Sequence, residues 1–172
     1  MGLKKYLLIA VIAVLLDQAA KWVVYSFVPK GQHIAVIITH TENTGAGFSL
    51  FAGMNHILLW LNMAILGAII YYFANAKKEQ LLPLALIIGG GAGNLIDRII
   101  HGHVIDFIDL GFWPVFNLAD SFVTAGAVLF IIMLLKEKST ETKKQKTSIA
   151  QKSTSKKKNQ KKEKNRINKK HS

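Results

Sequence analysis

Residues 89–120, GGGAGNLIDRIIHGHVIDFIDLGFWPVFNLAD, decide the fold of this chain. The stretch contains four of the five Asp residues of the chain, together with Arg98, and it lies between two long apolar runs. Ionisable side chains are expensive to place beside membrane-length apolar segments, so those that occur there usually have a function. The sequence therefore predicts a chemically active polar site within a membrane protein.

Four apolar segments are predicted to cross the membrane: residues 6–28, 56–74, 81–100 and 115–135. A helix rises about 1.5 Å per residue, so about 20 residues span a hydrocarbon core of about 30 Å. The first segment follows Lys4 and Lys5 and has the appearance of a secretory signal peptide. We predict that it is retained, because Asp17 lies within it and three further segments follow.

The charge distribution predicts two regions. Residues 1–135 carry seven basic and seven acidic side chains, whereas residues 136–172 carry fifteen basic and three acidic ones. The net charge of +12 therefore belongs to a Lys-rich tail that we expect to be disordered, and it does not indicate nucleic-acid binding. Basic residues at 4, 5, 77, 78 and in the tail fall on one side of four spans, so both termini are expected to be cytoplasmic and residues 89–120 to turn near the outer face.

A small β-element is predicted at about residues 30–55, outside the membrane. It combines a β-branched run at 34–39, turn-like residues at 42–45 and a second apolar piece at 48–51. Three His residues are expected to be solvated in loops or at a helix edge: His33, His40 and His56. His101 and His103 lack a third ligand, and the chain has no Cys, so no metal site is predicted.

Polar residues at helical spacing share a helix face in three places: Asp17 with Lys21, Asn94 with Arg98, and Asn117 with Asp120. We interpret the first as a structural ion pair that holds the first helix against the rest. The glycines at 89–93 lack the Lys-Ser/Thr ending of a phosphate loop, and they predict close helix packing instead.

Three carboxylates then have no evident basic partner: Asp106, Asp109 and Asp120. Two carboxylates brought together share a proton, so that one activates water while the other donates to a carbonyl oxygen, as in aspartic peptidases. Spacing alone does not decide whether Asp106 or Asp109 is the partner of Asp120, and a paired-carboxylate cation site has the same pattern.

Two other classes of protein compete with this hypothesis. In a proton- or cation-coupled carrier, a pathway would be lined by Asp17, Lys21, Asp97, Arg98 and Asp120. The absence of an internal repeat and the small number of spans argue against a carrier. A membrane scaffold held by its basic tail leaves the polar residues within the spans unexplained.

Over about residues 5–135 the chain resembles the bacterial lipoprotein signal peptidases, also called signal peptidase II. Five ordered blocks carry the resemblance: Asp17 with Lys21, NTGAGF at 43–48, GGGAGN at 89–94 followed by Asp97 and Arg98, VIDF at 104–107, and FNLAD at 116–120. Gly47 and Gly91 stand where Ala is usual in the family. The Lys-rich tail is not part of the family pattern.

The resemblance implies four transmembrane helices with a small extracytoplasmic β-cradle in the bacterial plasma membrane. It implies an aspartic endopeptidase that removes signal peptides from diacylglyceryl-modified prolipoproteins, cutting on the amino side of the lipidated Cys. Such an enzyme needs no metal or organic cofactor, contacts membrane lipids and is blocked by globomycin-type inhibitors. We expect it to act as a monomer.

The resemblance also assigns site residues. It selects Asp106 over Asp109, and so implies Asp106 and Asp120 as the catalytic pair. The implied substrate-binding residues are Asn43, Asn94, Arg98 and Asn117. The expected site-supporting residues are Asp17, Lys21 and Gly45.

Overall fold

The fold is described from a computed structural model that covers residues 2–35, 37–45 and 55–138. In chain order the elements are α1 (Leu3–Phe27), β1 (His33–Ala35), β2 (Ile38–Asn43), α2 (Asn55–Ala74), a 3₁₀ turn (Lys78–Gln80), α3 (Leu81–Ile100), β3 (Val104–Ile108) and α4 (Leu118–Lys138). Within these ranges, four helices are long and apolar enough to cross a membrane. The predicted fold class, a mainly α membrane protein with a small β-element, is confirmed.

The helices begin and end close to the predicted limits; α1 begins earlier than predicted, at Leu3, and α4 begins later. Its predicted start was residue 115, but the helix begins at Leu118. Phe116 is held in a β-bridge with Ile108, and Asn117 caps the helix, so neither residue is free to adopt helical geometry. Residues 2–131 belong to one compact unit, which contains the site described below. The predicted tail lies almost entirely outside the described residues, and the predicted division into two domains stays a prediction.

The β-element differs from its prediction in three respects. It is a three-stranded antiparallel sheet in the order β1-β2-β3, and β3 was not predicted as a strand. The predicted run at 34–39 is divided between β1 and β2, which form a hairpin. Glu42 and Asn43 do not form a turn, since they end β2 and pair with Ile105 and Val104. The apolar piece predicted at 48–51 lies outside the described residues.

Two hydrophobic clusters hold the elements together. One joins α1, α2 and α3 through Ala10, Phe73, Leu81, Leu84 and Ala85. The other packs β3 against the end of α1 and consists of Val24, Val28, Ile105 and Phe107. The second cluster therefore fixes the strand that follows α3 against the helix that opens the chain.

The glycines of α3 allow neighbouring backbones to touch, as the sequence predicted. A Cβ on Gly89 would lie 2.7 Å from the carbonyl oxygen of Ala10, and one on Gly90 would collide with the carbonyl oxygen of Ala119. Gly91 faces a more open region, where a Cβ would lie 3.4 Å from the side chain of Leu66. Gly90 thus sets the distance between α3 and the first turn of α4.

We predict opposite effects for Ala at two adjacent positions. Gly90→Ala should lower the free energy of unfolding by about 1–3 kcal/mol, because the obstructing atom is backbone and cannot move aside. Gly91→Ala should leave it unchanged or raise it by up to about 1 kcal/mol, since Ala favours helix and the new methyl has room. Thermal unfolding of the two variants in one detergent measures the difference, and equal stabilities would contradict the close packing at Gly90.

Candidate active site

Strand β3 presents Asp106 to a cavity of about 190 Å³. Alternate side chains of a strand face opposite ways, so Ile105 and Phe107 pack into the second cluster while Asp106 faces the other side. The cavity is lined by Asn43, Gly45, Asn94, Arg98, Val104, Asp106, Trp113, Pro114, Val115, Phe116 and Asp120. Both carboxylates that the family resemblance implies therefore line the same space.

A β-bridge between Ile108 and Phe116 brings these carboxylates together. The amide of Ile108 donates to the carbonyl of Phe116 at 2.7 Å, and the amide of Phe116 donates back at 3.1 Å. The chain thus leaves β3, turns through Gly111 with φ +77°, and returns beside the strand. This return places the start of α4 next to Asp106.

The start of α4 is a capping box made by Asn117 and Asp120. The amide of Asp120 donates to Asn117 Oδ1 at 2.9 Å, and the amide of Asn117 lies 3.4 Å from Asp120 Oδ2. Each side chain therefore satisfies a backbone N–H at the helix terminus that lacks a helical partner. The positive end of the helix dipole also favours a negative charge at this position.

Side-chain amides hold both carboxylates in place. Asp106 accepts hydrogen bonds from Asn43 Nδ2 at 2.9 Å and from Asn117 Nδ2 at 2.7 Å. Asp120 accepts one from Asn94 Nδ2 at 2.8 Å. The backbone amide of Asn117 also lies 3.4 Å from Asp120 Oδ2, so Asn117 contacts both carboxylates, one through its side chain and one through its backbone.

Burial raises the pKa of Asp106 to about 7. The carboxyl is only 3% exposed, and the hydrogen bond from Asn43 opposes the effect of burial. The charge of Asp120 raises this pKa further, and the hydrogen bond from Asn117 lowers it. Near neutral pH, Asp106 can therefore both hold and release a proton.

A buried ion cluster lies behind the cavity. Lys21 Nζ contacts Asp17 at 2.8 Å and Asp97 at 2.9 Å, and all three side chains are almost fully buried. Asp17 also accepts from the amide of Ala119 at 2.8 Å, and Asp97 accepts from the amide of Ile105 at 3.1 Å. The cluster thus ties α1 and α3 to the elements that carry Asp120 and Asp106. The helical spacing of Asp17 and Lys21 predicts their pairing, whereas no sequence pattern indicated Asp97 as the second partner of Lys21.

Arg98 connects α3 to Gly45, which follows β2, at the rim of the cavity. One guanidinium nitrogen donates to the carbonyl of Gly45 at 3.1 Å, and another lies 3.4 Å from the carbonyl of Asn94. Its Nε atom is buried and has no hydrogen-bond partner among the described residues. Arg98 therefore holds the rim together and retains a donor.

Asp109 lies apart from this arrangement. It accepts from the amide of Gly111 at 2.8 Å and lies 3.9 Å from His33, and it does not line the cavity.

One His departs from its prediction, because His40 is buried and bonds the carbonyl of Val28 at 2.8 Å instead of being solvated. Within the described ranges, no three His, Asp or Glu side chains are grouped so as to hold a metal ion.

These features define a class: a multi-pass membrane protein whose polar site is built around two carboxylates. The sequence profile described as signal peptidase (SPase) II matches residues 9–136. The chain therefore belongs to the signal peptidase II family, and it is a peptidase.

Relatives and solved structures agree with this assignment. The chain is 39% identical to the lipoprotein signal peptidase of Syntrophomonas wolfei over 139 residues, which cover 77% of this chain and 93% of that protein. It is 35% identical to the lipoprotein signal peptidase of Staphylococcus aureus over 159 residues, which cover 83% and 98%. A bacterial membrane enzyme solved by the in meso method at 2.3 Å resolution matches with a TM-score of 0.75 and 34% identity, covering 80% of this chain and 91% of that one.

The raised pKa of Asp106 predicts how stability depends on pH. Between the ordinary carboxyl value of 3.8 and about 7, the folded chain binds a proton that the unfolded chain has released. The contribution of this group to stability is therefore present at low pH and is lost as the pH rises through about 7. Asp106→Asn removes the titrating group. The melting temperature of this variant minus that of wild type should therefore increase from about pH 5 to about pH 8.

Thermal unfolding of both proteins across this pH range provides the measurement. Asp109→Asn serves as the matched control, because it removes a carboxylate outside the cavity, and it should follow the wild-type pH dependence. A constant difference in melting temperature between Asp106→Asn and wild type at every pH would contradict the raised pKa.

Proposed function

We propose that this chain is an aspartic-type endopeptidase that removes signal peptides from diacylglyceryl-modified prolipoproteins, cutting on the amino side of the lipidated Cys. The observation that carries the proposal is the placement of Asp106 and Asp120 on one cavity, joined through Asn117. The substrate class follows from the family, because the curated relatives bear the name lipoprotein signal peptidase.

In the proposed reaction, Asp106 and Asp120 share one proton and hold a water molecule between them. The water oxygen bonds to the scissile carbonyl carbon, its proton passes to Asp120, and Asp106 gives its proton to the carbonyl oxygen. When the tetrahedral intermediate collapses, the bond to nitrogen breaks and the departing amine takes the proton from Asp120. The hydroxyl formed on the intermediate returns its proton to Asp106, so the pair regains its starting state.

The four predicted substrate-binding residues divide into two groups in this proposal. Asn43, Asn94 and Asn117 donate to the two carboxylates, so they orient the catalytic groups beside the peptide. Arg98 Nε has no hydrogen-bond partner in the part of the chain that the structure describes, and we assign this donor to a carbonyl of the peptide backbone. Precise orientation of this kind lowers the activation free energy, because groups that are already aligned lose less entropy on reaching the transition state.

The proposed location is the bacterial plasma membrane, with both termini cytoplasmic and the site near the outer face. Lys4 and Lys5 lie in the first turn of α1, and Lys77 and Lys78 follow α2, so these basic residues fall on one side of the bundle. Basic flanks of this kind mark the cytoplasmic side. The loops that carry the site lie at the opposite ends of the helices.

The test is single-turnover cleavage of a lipidated precursor in detergent. Asp106→Asn and Asp120→Asn should each slow cleavage by about 10²- to 10⁴-fold, since each removes a proton-transfer group. The double variant should be no slower than the single ones, because the two residues act as a unit. Wild-type enzyme should leave the unlipidated precursor intact.

Asp109→Asn is the matched control, and it should cleave within a few-fold of wild type. Binding of globomycin should persist in every variant, which separates a loss of chemistry from a loss of the pocket. Substantial cleavage by Asp106→Asn combined with an inactive Asp109→Asn would place Asp109 in the pair and overturn the assignment.

A further inference from the structure

The side chain of Asn94 has a defined orientation. Its Oδ1 faces two donors, Lys21 Nζ at 2.9 Å and Asn117 Nδ2 at 3.1 Å. Its Nδ2 donates to Asp120 Oδ1 at 2.8 Å. A rotation of the amide by half a turn would place its NH₂ group against an ammonium and its oxygen against a carboxylate, and both contacts would be repulsive.

Lys21 is held so that it can enforce this orientation. An ammonium has three N–H groups, and those of Lys21 have three acceptors, on Asp17, Asp97 and Asn94, at 2.8–2.9 Å. The side chain is 2% exposed, so it does not exchange these acceptors for bulk water. The two carboxylates are in turn fixed by the amides of Ala119 and Ile105. Lys21 therefore presents one N–H to Asn94 from a fixed direction.

We propose that Lys21 is a positioning residue of the peptidase reaction: it holds the Asn94 amide in the orientation that donates a hydrogen bond to Asp120. The inference rests on the proposed function, because it takes Asp120 as a member of the catalytic pair. Lys21 itself is not among the residues that line the cavity. Its effect on the reaction passes through Asn94.

The test compares two variants: one in which the buried cluster carries no charge, and one that lacks the Asn94 side chain. Lys21→Met alone leaves Asp17 and Asp97 without their cation and risks misfolding. The triple variant Asp17→Asn, Lys21→Met, Asp97→Asn keeps the side-chain sizes similar and leaves no unpaired charge, so it should fold. An Asn side-chain oxygen at position 17 or 97 can still accept from the amide of Ala119 or Ile105, so the triple variant keeps those two bonds available while it removes the contact of Lys21 Nζ with Asn94.

The triple variant should lower kcat on the order of 100-fold, since a misplaced catalytic group reduces turnover by about that factor. Asn94→Ala should lower kcat by a similar factor, and adding it to the triple variant should cause little further loss. The acidic limb of the pH–rate profile should move to higher pH in both, because a carboxylate that loses an amide donor holds its proton more tightly. A purely structural role would leave this limb in place.

Lys30→Met is the matched control, since Lys30 is an exposed Lys paired with Glu42 outside the cavity. It should keep wild-type kcat and pH dependence. A folded triple variant with an unmoved acidic limb, or with losses that add to those of Asn94→Ala, would overturn the role of Lys21. Wild-type cleavage by Asp120→Asn would instead overturn the proposed function, so the two failures are distinguishable.

Discussion

The buried contact of Lys21 with Asp17 and Asp97 is the interaction on which the rest of the structure depends. Withdrawing three charges from water carries a penalty of several kcal/mol per ion, which is offset only by close pairing and further hydrogen bonds. Both carboxylates find those bonds on backbone amides, at Ala119 and at Ile105. Because these amides belong to α4 and β3, the hydrogen bonds that stabilise the buried ions also fix the positions of Asp120 and Asp106, the proposed catalytic pair.

The site exerts opposing effects on the pKa of Asp106. Burial and the charge of Asp120 raise the pKa of Asp106, whereas hydrogen bonds from Asn43 and Asn117 lower it, and the outcome is about 7. A general acid works best when its pKa lies near the operating pH. The amides of the site therefore orient the carboxylates and also keep the proton of Asp106 transferable.

The helices and the polar positions were predictable from sequence, because apolar length and helical spacing are local signals. Strand β3 was not predictable, because its partner β2 lies about 60 to 70 residues earlier in the chain and single-sequence patterns do not reveal such pairing. The choice between Asp106 and Asp109 depends on that strand. Ile105 and Phe107 face the core, so Asp106 between them must face the cavity, whereas Asp109 follows the end of β3. The ion pair of Lys21 with Asp97 was not predicted, because it depends on how α3 is rotated against α1.

The central claim is that Asp106 and Asp120 hold one proton between them near neutral pH. Infrared difference spectroscopy of the C=O stretch of protonated carboxyl groups, recorded from about pH 5 to about pH 9, tests it most directly. We expect a band that disappears as the pH rises through about 7, is absent from Asp106→Asn and persists in Asp109→Asn. A band that persists unchanged in Asp106→Asn, or the absence of any band titrating near this pH in wild type, would contradict the shared proton.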